Sequence, residues 1–269
     1  YESVQNMFIK LYDDGYLYRD KKIVNWDPEA KTTLSNEEVV YKEKTAKLFY
    51  LKYKLESSEE FLLVATTRPE TIFGDTAVAV NPNDKRYRKL IGKKLIVPLV
   101  NRAVPIVGDN SVDLEFGTGC LKVTPAHSEK DFEIGLRNNL DIIDVFNDDA
   151  SLNGYGMHYK SLDRFSVRKK IINELDEKGL LDRSEDYSHN IALSERTSCV
   201  VEPKLSTQWF VKMKKLSKPA LELVLNGDIQ FYPKKYVKTY KNWLENIRDW
   251  NISRQLYWGH RIPVFYLKE

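Results

Sequence analysis

Cys120 and Cys199 are the only cysteines among 269 residues, so neither a disulfide framework nor a four-cysteine zinc site is available. A chain that needs no oxidised framework sits by default in the cytosol. No apolar run reaches bilayer length, and no charged-then-apolar leader opens the sequence, so no membrane partner is expected. A marked excess of one charge is missing as well: 42 Lys+Arg stand against 39 Asp+Glu, leaving +3 at pH 7. With a pI near 8.6, the chain suits a polyanionic partner without requiring one. There is no internal repeat, no low-complexity tract and no G-x-S-x-G nucleophile elbow. What remains is 42% hydrophobic and 30% charged, the composition of a globular chain with a real core. The start at Tyr1 and the apolar end "PVFYLKE" read as a piece of a longer polypeptide.

Hydrophobic spacing gives the organisation. Val4, Met7, Phe8 and Leu11 fall at helical intervals, and Gly15 follows as a stop. "KKIVNWDP" reads as a short strand closed by Pro28. From Leu48 the period changes: "LFYLKYKL" and "EFLLVATT" are strands joined through "ESSEE" as a hairpin. "TAVAVN", "KLIVPLV", "AVPIVG" and "GCLKVTP" follow as short strands. This density of short strands predicts an α+β chain with a compact, β-barrel-like core and peripheral helices. Helices are predicted over "PNDKRYRKLIG", "SEKDFEIGLRN", "SLDRFSVRKKIINELDEKGLL", "KPALELVLNG" and "KKYVKTYKNWLENIRDW". The character of the sequence shifts near Tyr41–Lys47 and again near Ser188. This suggests segments 1–45, 46–190 and 191–269, the middle one being the β core.

Three stretches carry chemistry. In "ATTRPET", Thr66, Thr67, Arg68 and Thr71 crowd the end of an apolar strand, and Pro69 suits the first position of a helix. Helix-start amides and hydroxyls make a cradle for a phosphate, a carboxylate or a ribose edge; the same residues also fit an ordinary strand-to-helix turn. In "EFGTGCLKVTPAHSEKDFEIG", Gly117 and Gly119 allow a sharp turn or close approach. No Lys-Ser/Thr follows as a Walker loop would demand. Lys122 and Thr124 share one face of the next strand, opposite Leu121 and Val123. His127 follows, and Ser128 with Asp131 has capping-box spacing, Asp standing where Glu or Gln is usual. A lysine, a threonine, a histidine and a carboxylate thus meet at one strand end and helix start. Taken singly, each also fits a structural role: a cap, a solvated lysine, a backbone-bonded histidine. His127 and Asp131 lack an evident third ligand for a metal. In "RDWNISRQLYWGHRIPVFY", Trp250, Arg254, Tyr257, Trp258, His260 and Arg261 suit base stacking or phosphate binding, and equally a core with a basic rim.

Together these stretches, with "NWDPEAKTTLSNEEVV", resemble the valyl-tRNA synthetases, class I enzymes, over essentially the whole chain. "GHRIPV" and "KVTPAH" after "GTG" look valyl; the isoleucyl and leucyl synthetases share the "ISRQ" and "YWG" frame and are more distant alternatives. The resemblance implies that residues 46–190 are the inserted editing domain, which hydrolyses mischarged threonyl-tRNA(Val). The flanks would be a segment coming from the nucleotide-binding core and one returning to it. Such a domain has a physical motive. Threonine is nearly isosteric with valine, and valyl-tRNA synthetase is the standing example of a pocket that rejects the added hydroxyl only about 100-fold. The resemblance implies Asp131 as the carboxylate that holds the substrate ammonium, and Lys122 and Thr124 facing the ester. Arg68 and Thr71 would contact adenosine and substrate, with Thr66, Thr67, His127 and Ser128 lining the pocket. Ser128 stands where many relatives carry Asp, which brings a hydroxyl but no charge. No cofactor and no metal are implied for this segment; zinc-knuckle cysteines are missing around Cys199. ATP and Mg would act in the full-length enzyme, and "KMKKLS" (Lys212–Ser217), although similar to a KMSKS loop, lies well before that loop's place. The implied setting is a cytoplasmic monomer with tRNA(Val) and the rest of the synthetase chain as partners. A non-catalytic tRNA-binding module and an unrelated small-ester esterase are the other classes compatible with these residues.

Overall fold

The computed structural model describes residues 1–267. The helical spacing near the start forms α1 (Glu2–Asp13), and Gly15 beyond it takes a φ of +73°, the left-handed stop that glycine adopts without steric cost. The strand expected at "KKIVNWDP" is longer, β1 (Leu17–Asp27), and β2 (Thr32–Leu34) folds back on it. β3 (Val39–Leu55) and β4 (Phe61–Thr66) form the expected antiparallel hairpin. Then come β5 (Ala77–Val80), β6 (Lys94–Ile96), β7 (Ala103–Gly108) and β8 (Cys120–Val123). α2 (Glu129–Arg137), α3 (Arg164–Glu177), β9 (Leu181–Ser194) and β10 (Glu202–Val211) follow. The order closes with α4 (Met213–Leu225), α5 (Tyr236–Glu245) and β11 (Trp250–Asn251). The helix expected over "PNDKRYRKLIG" shrinks to a 3₁₀ turn at Arg88–Leu90. Asp84 there takes the Arg86 amide at 2.9 Å and its guanidinium at 2.6 Å, a local side-chain bonding pattern that competes with helix.

The strands make two sheets. One runs β11-β10-β1-β2; the other runs β4-β3-β6-β7-β5-β8, with β9 on β3 as well. Only the β5–β7 pair is parallel in the second sheet. This sheet curls into a half-barrel carrying peripheral helices, the α+β arrangement expected from the sequence. Thr118 Oγ1 donates to Leu63 O at 2.6 Å, tying the loop before β8 to β4 across the curl. Gly117 in that loop has φ +60°, and a Cβ there would come within 2.8 Å of the Ala65 Cβ, so both conformation and space require glycine.

The half-barrel core is built from Leu51, Tyr53, Val64, Phe73, Val78, Val80, Leu95 and Ile106. Val167, Ile171 and Leu175, at four-residue intervals on α3, close it from one side. Each such side chain contributes about 1.5–3 kcal/mol of burial. β3 and β9 form a long antiparallel ribbon, from Val39 opposite Ser194 to Leu51 opposite Leu181. The expected boundaries at 45/46 and 190/191 fall inside these two strands. The ribbon therefore joins the half-barrel to the rest of the chain as two paired strands, which resist bending more than single-strand linkers.

Candidate active site

The polar cluster is organised by a residue that the sequence reading did not single out. Asp75 closes the Pro69–Gly74 turn, two residues before β5, whose four residues are all buried, and is itself fully buried. Its Oδ1 accepts from Lys122 Nζ at 2.6 Å and from Thr124 Oγ1 at 2.7 Å; its Oδ2 accepts from Tyr53 OH at 2.6 Å. Burial, reinforced by the Asp75 charge, keeps the Tyr53 phenol protonated by raising its pKa well above the usual value. Lys122 Nζ also donates to Thr71 Oγ1 at 2.9 Å and to Thr124 Oγ1. An ammonium has three N–H groups, and here all three are engaged. Lys122 is buried rather than solvated, and it offers fixed positive charge instead of a free donor. A carboxylate two residues before the apolar run "AVAV" was the signal for Asp75, because such a group, once buried, demands a buried cation.

Asp131 lies on the first turn of α2. Ser128 caps that helix as the spacing predicts, its Oγ accepting from Asp131 N at 3.3 Å. The capping box is left half-made: the Asp131 carboxylate turns to the strand end, where Oδ2 accepts from Thr124 N at 2.9 Å. Among the described residues no geometrically formed hydrogen bond reaches its Oδ1, although the Ser128 hydroxyl lies close enough to help lower the carboxyl pKa. Burial raises the Asp131 pKa, and the nearby charge of Lys122 opposes that rise. The structure thus brings Asp131, Lys122, Thr124 and Thr71 together, with Ser128 at the edge.

The turn at the mouth is a 3₁₀ segment, Pro69–Gly74, with Pro69 at its first position. It is too short for the helix-dipole field that a longer helix would supply, so the cradle rests on side chains and not on a helix start. Thr66 Oγ1 accepts from Arg68 N at 3.0 Å, and Thr71 Oγ1 donates to Arg68 O at 3.0 Å. Thr67 is half-buried, and no described residue bonds its hydroxyl. The Arg68 guanidinium is held: Nη1 donates to His127 O at 3.2 Å, Nε to Glu70 Oε1 at 3.3 Å, and Nη2 to Glu202. Burial acts to lower the Arg68 pKa, but Glu202 and Glu70 raise it above the usual guanidinium value.

His127, expected against the substrate, faces the other way. Its ring packs edge-on to Phe146 at 4.7 Å, and its Nε2 accepts from Val145 N at 3.0 Å. Its proton therefore sits on Nδ1, which points toward Glu202 at 3.9 Å without forming a hydrogen bond. Burial, aided by the positive charges of Arg68 and Lys122, lowers its pKa well below the ordinary value, so the ring is neutral. The aromatic C-terminal stretch does not join this site. Trp250 belongs to the four-stranded sheet, Arg254 is paired with Glu38 at 2.5 Å, and Tyr257 and Trp258 are exposed.

The half-barrel carries two concavities. The larger, about 420 Å³, lies open between Gly108–Ser111 and Arg137–Asn138 and carries none of the convergent groups. The smaller, about 150 Å³, is lined by Ala65, Phe116, Gly119, Leu121 and Lys130 among others. Ala65 and Leu121 in its lining alternate along their strands with Thr66 and Lys122, whose side chains point to the opposite face, so this concavity too carries none of the convergent groups.

A family model described as tRNA synthetases class I (I, L, M and V) matches residues 1–269, and the chain belongs to that family. Within it, the chain is similar to valine--tRNA ligases. It is 57% identical over 264 residues to the Valine--tRNA ligase of Christiangramia forsetii, covering 98% of this chain and 30% of that protein. It is 55% identical over 268 residues to that of Bacteroides fragilis, covering 100% and 31%. Against that of Clostridium tetani it is 51% identical over 268 residues, covering 100% and 30%. The chain thus spans about 30% of the length of these curated relatives. Among solved structures, the ternary complex of Agrobacterium radiobacter K84 agnB2 LeuRS with tRNA and LeuAMS matches 98% of this chain and 35% of that one, with a TM-score of 0.41 at 19% identity.

Proposed function

We propose that this chain is the editing part of a valine--tRNA ligase and hydrolyses the ester of mischarged threonyl-tRNA(Val). The observation that carries the reading is the buried Asp131 carboxylate, with one oxygen fixed by the Thr124 amide and the other unclaimed. A substrate ammonium supplies the partner that this oxygen lacks, in a charge-assisted bond. Thr67 and Ser128 present hydroxyls that pair with the threonine hydroxyl. Valine leaves them unpaired, and a polar site of this kind discriminates strongly against the analogue that lacks the group.

In the reaction, water adds to the ester carbonyl, the bond from the acyl carbon to the ribose oxygen breaks, and the ribose hydroxyl leaves with a proton from that water. Positioning supplies most of the rate in this scheme. The immobilised positive charge of Lys122 stabilises the oxyanion as it develops, at no cost of reorganisation. Asp75, Thr71 and Thr124 hold that charge in place.

The full protein would act in the cytoplasm as a monomer, with ATP and Mg at a site outside this chain. The residues present do not fit that chemistry: Lys212–Ser217 winds into the start of α4, with Lys212 Nζ bonded to Gly15 O at 3.0 Å and Ser217 buried. The test is deacylation of threonyl-tRNA(Val) beside valyl-tRNA(Val), at enzyme concentrations high enough to offset weak tRNA binding. Rapid loss of the threonyl ester alone supports the reading. Salt-dependent tRNA binding with no hydrolysis would instead make this a binding module, and turnover of small esters without tRNA an unrelated esterase.

A further inference from the structure

Glu202 opens β10, in the four-stranded sheet, yet its carboxylate is bonded to the mouth of the half-barrel site. The residue is 3% exposed. One oxygen accepts from Arg68 Nη2, and the other accepts from Arg164 Nη1 at 2.7 Å. Arg164, equally buried, also donates to Val200 O at 2.5 Å. On the other flank, Arg68 reaches Glu70, which is gripped by Arg168 at 2.6 and 2.8 Å. Burial would raise the Glu70 pKa, but Arg168 and Arg68 hold it below the ordinary carboxylate value. Three arginines and two glutamates therefore interlock, and Glu202 is the member supplied by the four-stranded sheet.

We propose that Glu202 is a positioning residue for the ester hydrolysis, an inference that rests on the editing function proposed above. The line of force is short. Glu202 fixes the Arg68 guanidinium. The Arg68 carbonyl in turn accepts from Thr71 N at 3.2 Å and Thr71 Oγ1 at 3.0 Å. Thr71 Oγ1 receives Lys122. The docking of the four-stranded sheet against the half-barrel thus sets where the Lys122 charge and the mouth threonines sit. Without the carboxylate charge, buried Arg164 and part-exposed Arg68 are left as neighbouring cations with only Glu70 nearby, and removing the anion they share disturbs the local geometry. A displacement of about 1 Å at a positioned site costs about 100-fold in rate.

The experiment compares Glu202→Gln, Glu202→Asp, Arg68→Met and the Glu202→Gln/Arg68→Met double variant in the full polypeptide that carries this chain. The readouts are steady-state deacylation of threonyl-tRNA(Val) and thermal unfolding. For Glu202→Gln, kcat is expected to fall about 10- to 100-fold while KM for the tRNA stays within about threefold, since only the reacting end is misplaced. Glu202→Asp keeps the charge and is expected to recover part of that loss. It also remains informative if Glu202→Gln fails to fold. The double variant is expected to lose no more than about threefold beyond Arg68→Met alone, because both act through one guanidinium. Wild-type kcat in Glu202→Gln, or losses that multiply in the double variant, would overturn the inference and leave the editing reading standing. A wild-type protein that leaves threonyl-tRNA intact would remove both.

Discussion

At position 131 the fold has little use for a charge. Ser128 already caps α2, and the Thr124 amide needs only an acceptor. Asp131→Asn keeps that acceptor and removes the charge. Threonyl-tRNA deacylation is expected to fall at least about 30-fold, the low end of the ~2–5 kcal/mol that one partner of a buried charge pair supplies. Stability moves the other way. A carboxyl whose pKa is raised on folding contributes stability while protonated and loses it as pH rises through that pKa. At pH 7 the Asn variant is therefore no less stable than wild type, which a urea titration checks. The same raised pKa places the acid limb of the kcat/KM profile above the range of an exposed aspartate, and Asp131→Asn flattens that limb. A limb unchanged in the variant would assign it to another group.

At the scale of elements, β5, β8 and the Pro69–Gly74 turn are locked together by Asp75, Lys122, Thr124 and Thr71. Removing one charge of the buried pair strands the other, at about 3–5 kcal/mol. Asp75→Asn and Lys122→Met are each expected to lose that much by chemical denaturation, and the double variant less than the sum. Additive losses would show that the two charges do not act as a pair. His127 adds a pH dependence. Its pKa is depressed on folding by burial, so the stability it contributes is present above the ordinary histidine pKa and is lost as pH falls through the window below it. The slope is about 1.4 kcal/mol per pH unit. His127→Gln, which can still accept from Val145 N, is expected to remove that slope.

Part of this site was legible from spacing alone. The period-2 alternation put Lys122 and Thr124 on one face, and the Ser128 cap followed from helix-start chemistry. The orientation of His127 was not legible, because its partners, Val145 and Phe146, lie in an irregular segment with no periodicity. Asp75 and Lys122 are 47 residues apart, and Arg68 and Glu202 are 134 apart; no local pattern announces pairs so distant. The helix expected near Asp84 failed because short-range polar caps outcompeted a weak helical pattern.

Across the whole molecule, the two sheets are joined by the β3–β9 ribbon and by the Glu202 cluster. The exposed Arg248–Glu129 pair at 2.7 Å adds a contact between the C-terminal stretch and α2. Such an exposed pair contributes about 0–1 kcal/mol, so Arg248→Ala is expected to leave unfolding and deacylation nearly unchanged. A large loss in either would mean that this contact, and not the buried cluster, fixes the docking of the sheets. The account as a whole turns on where a mischarged end binds. The most direct measurement is a crystal structure of the protein with a non-hydrolysable threonyl-adenosine analogue. The account predicts the threonyl nitrogen within hydrogen-bonding distance of Asp131 Oδ1. An analogue seated in the groove beside Arg137, or one whose nitrogen lies away from Asp131, would contradict it.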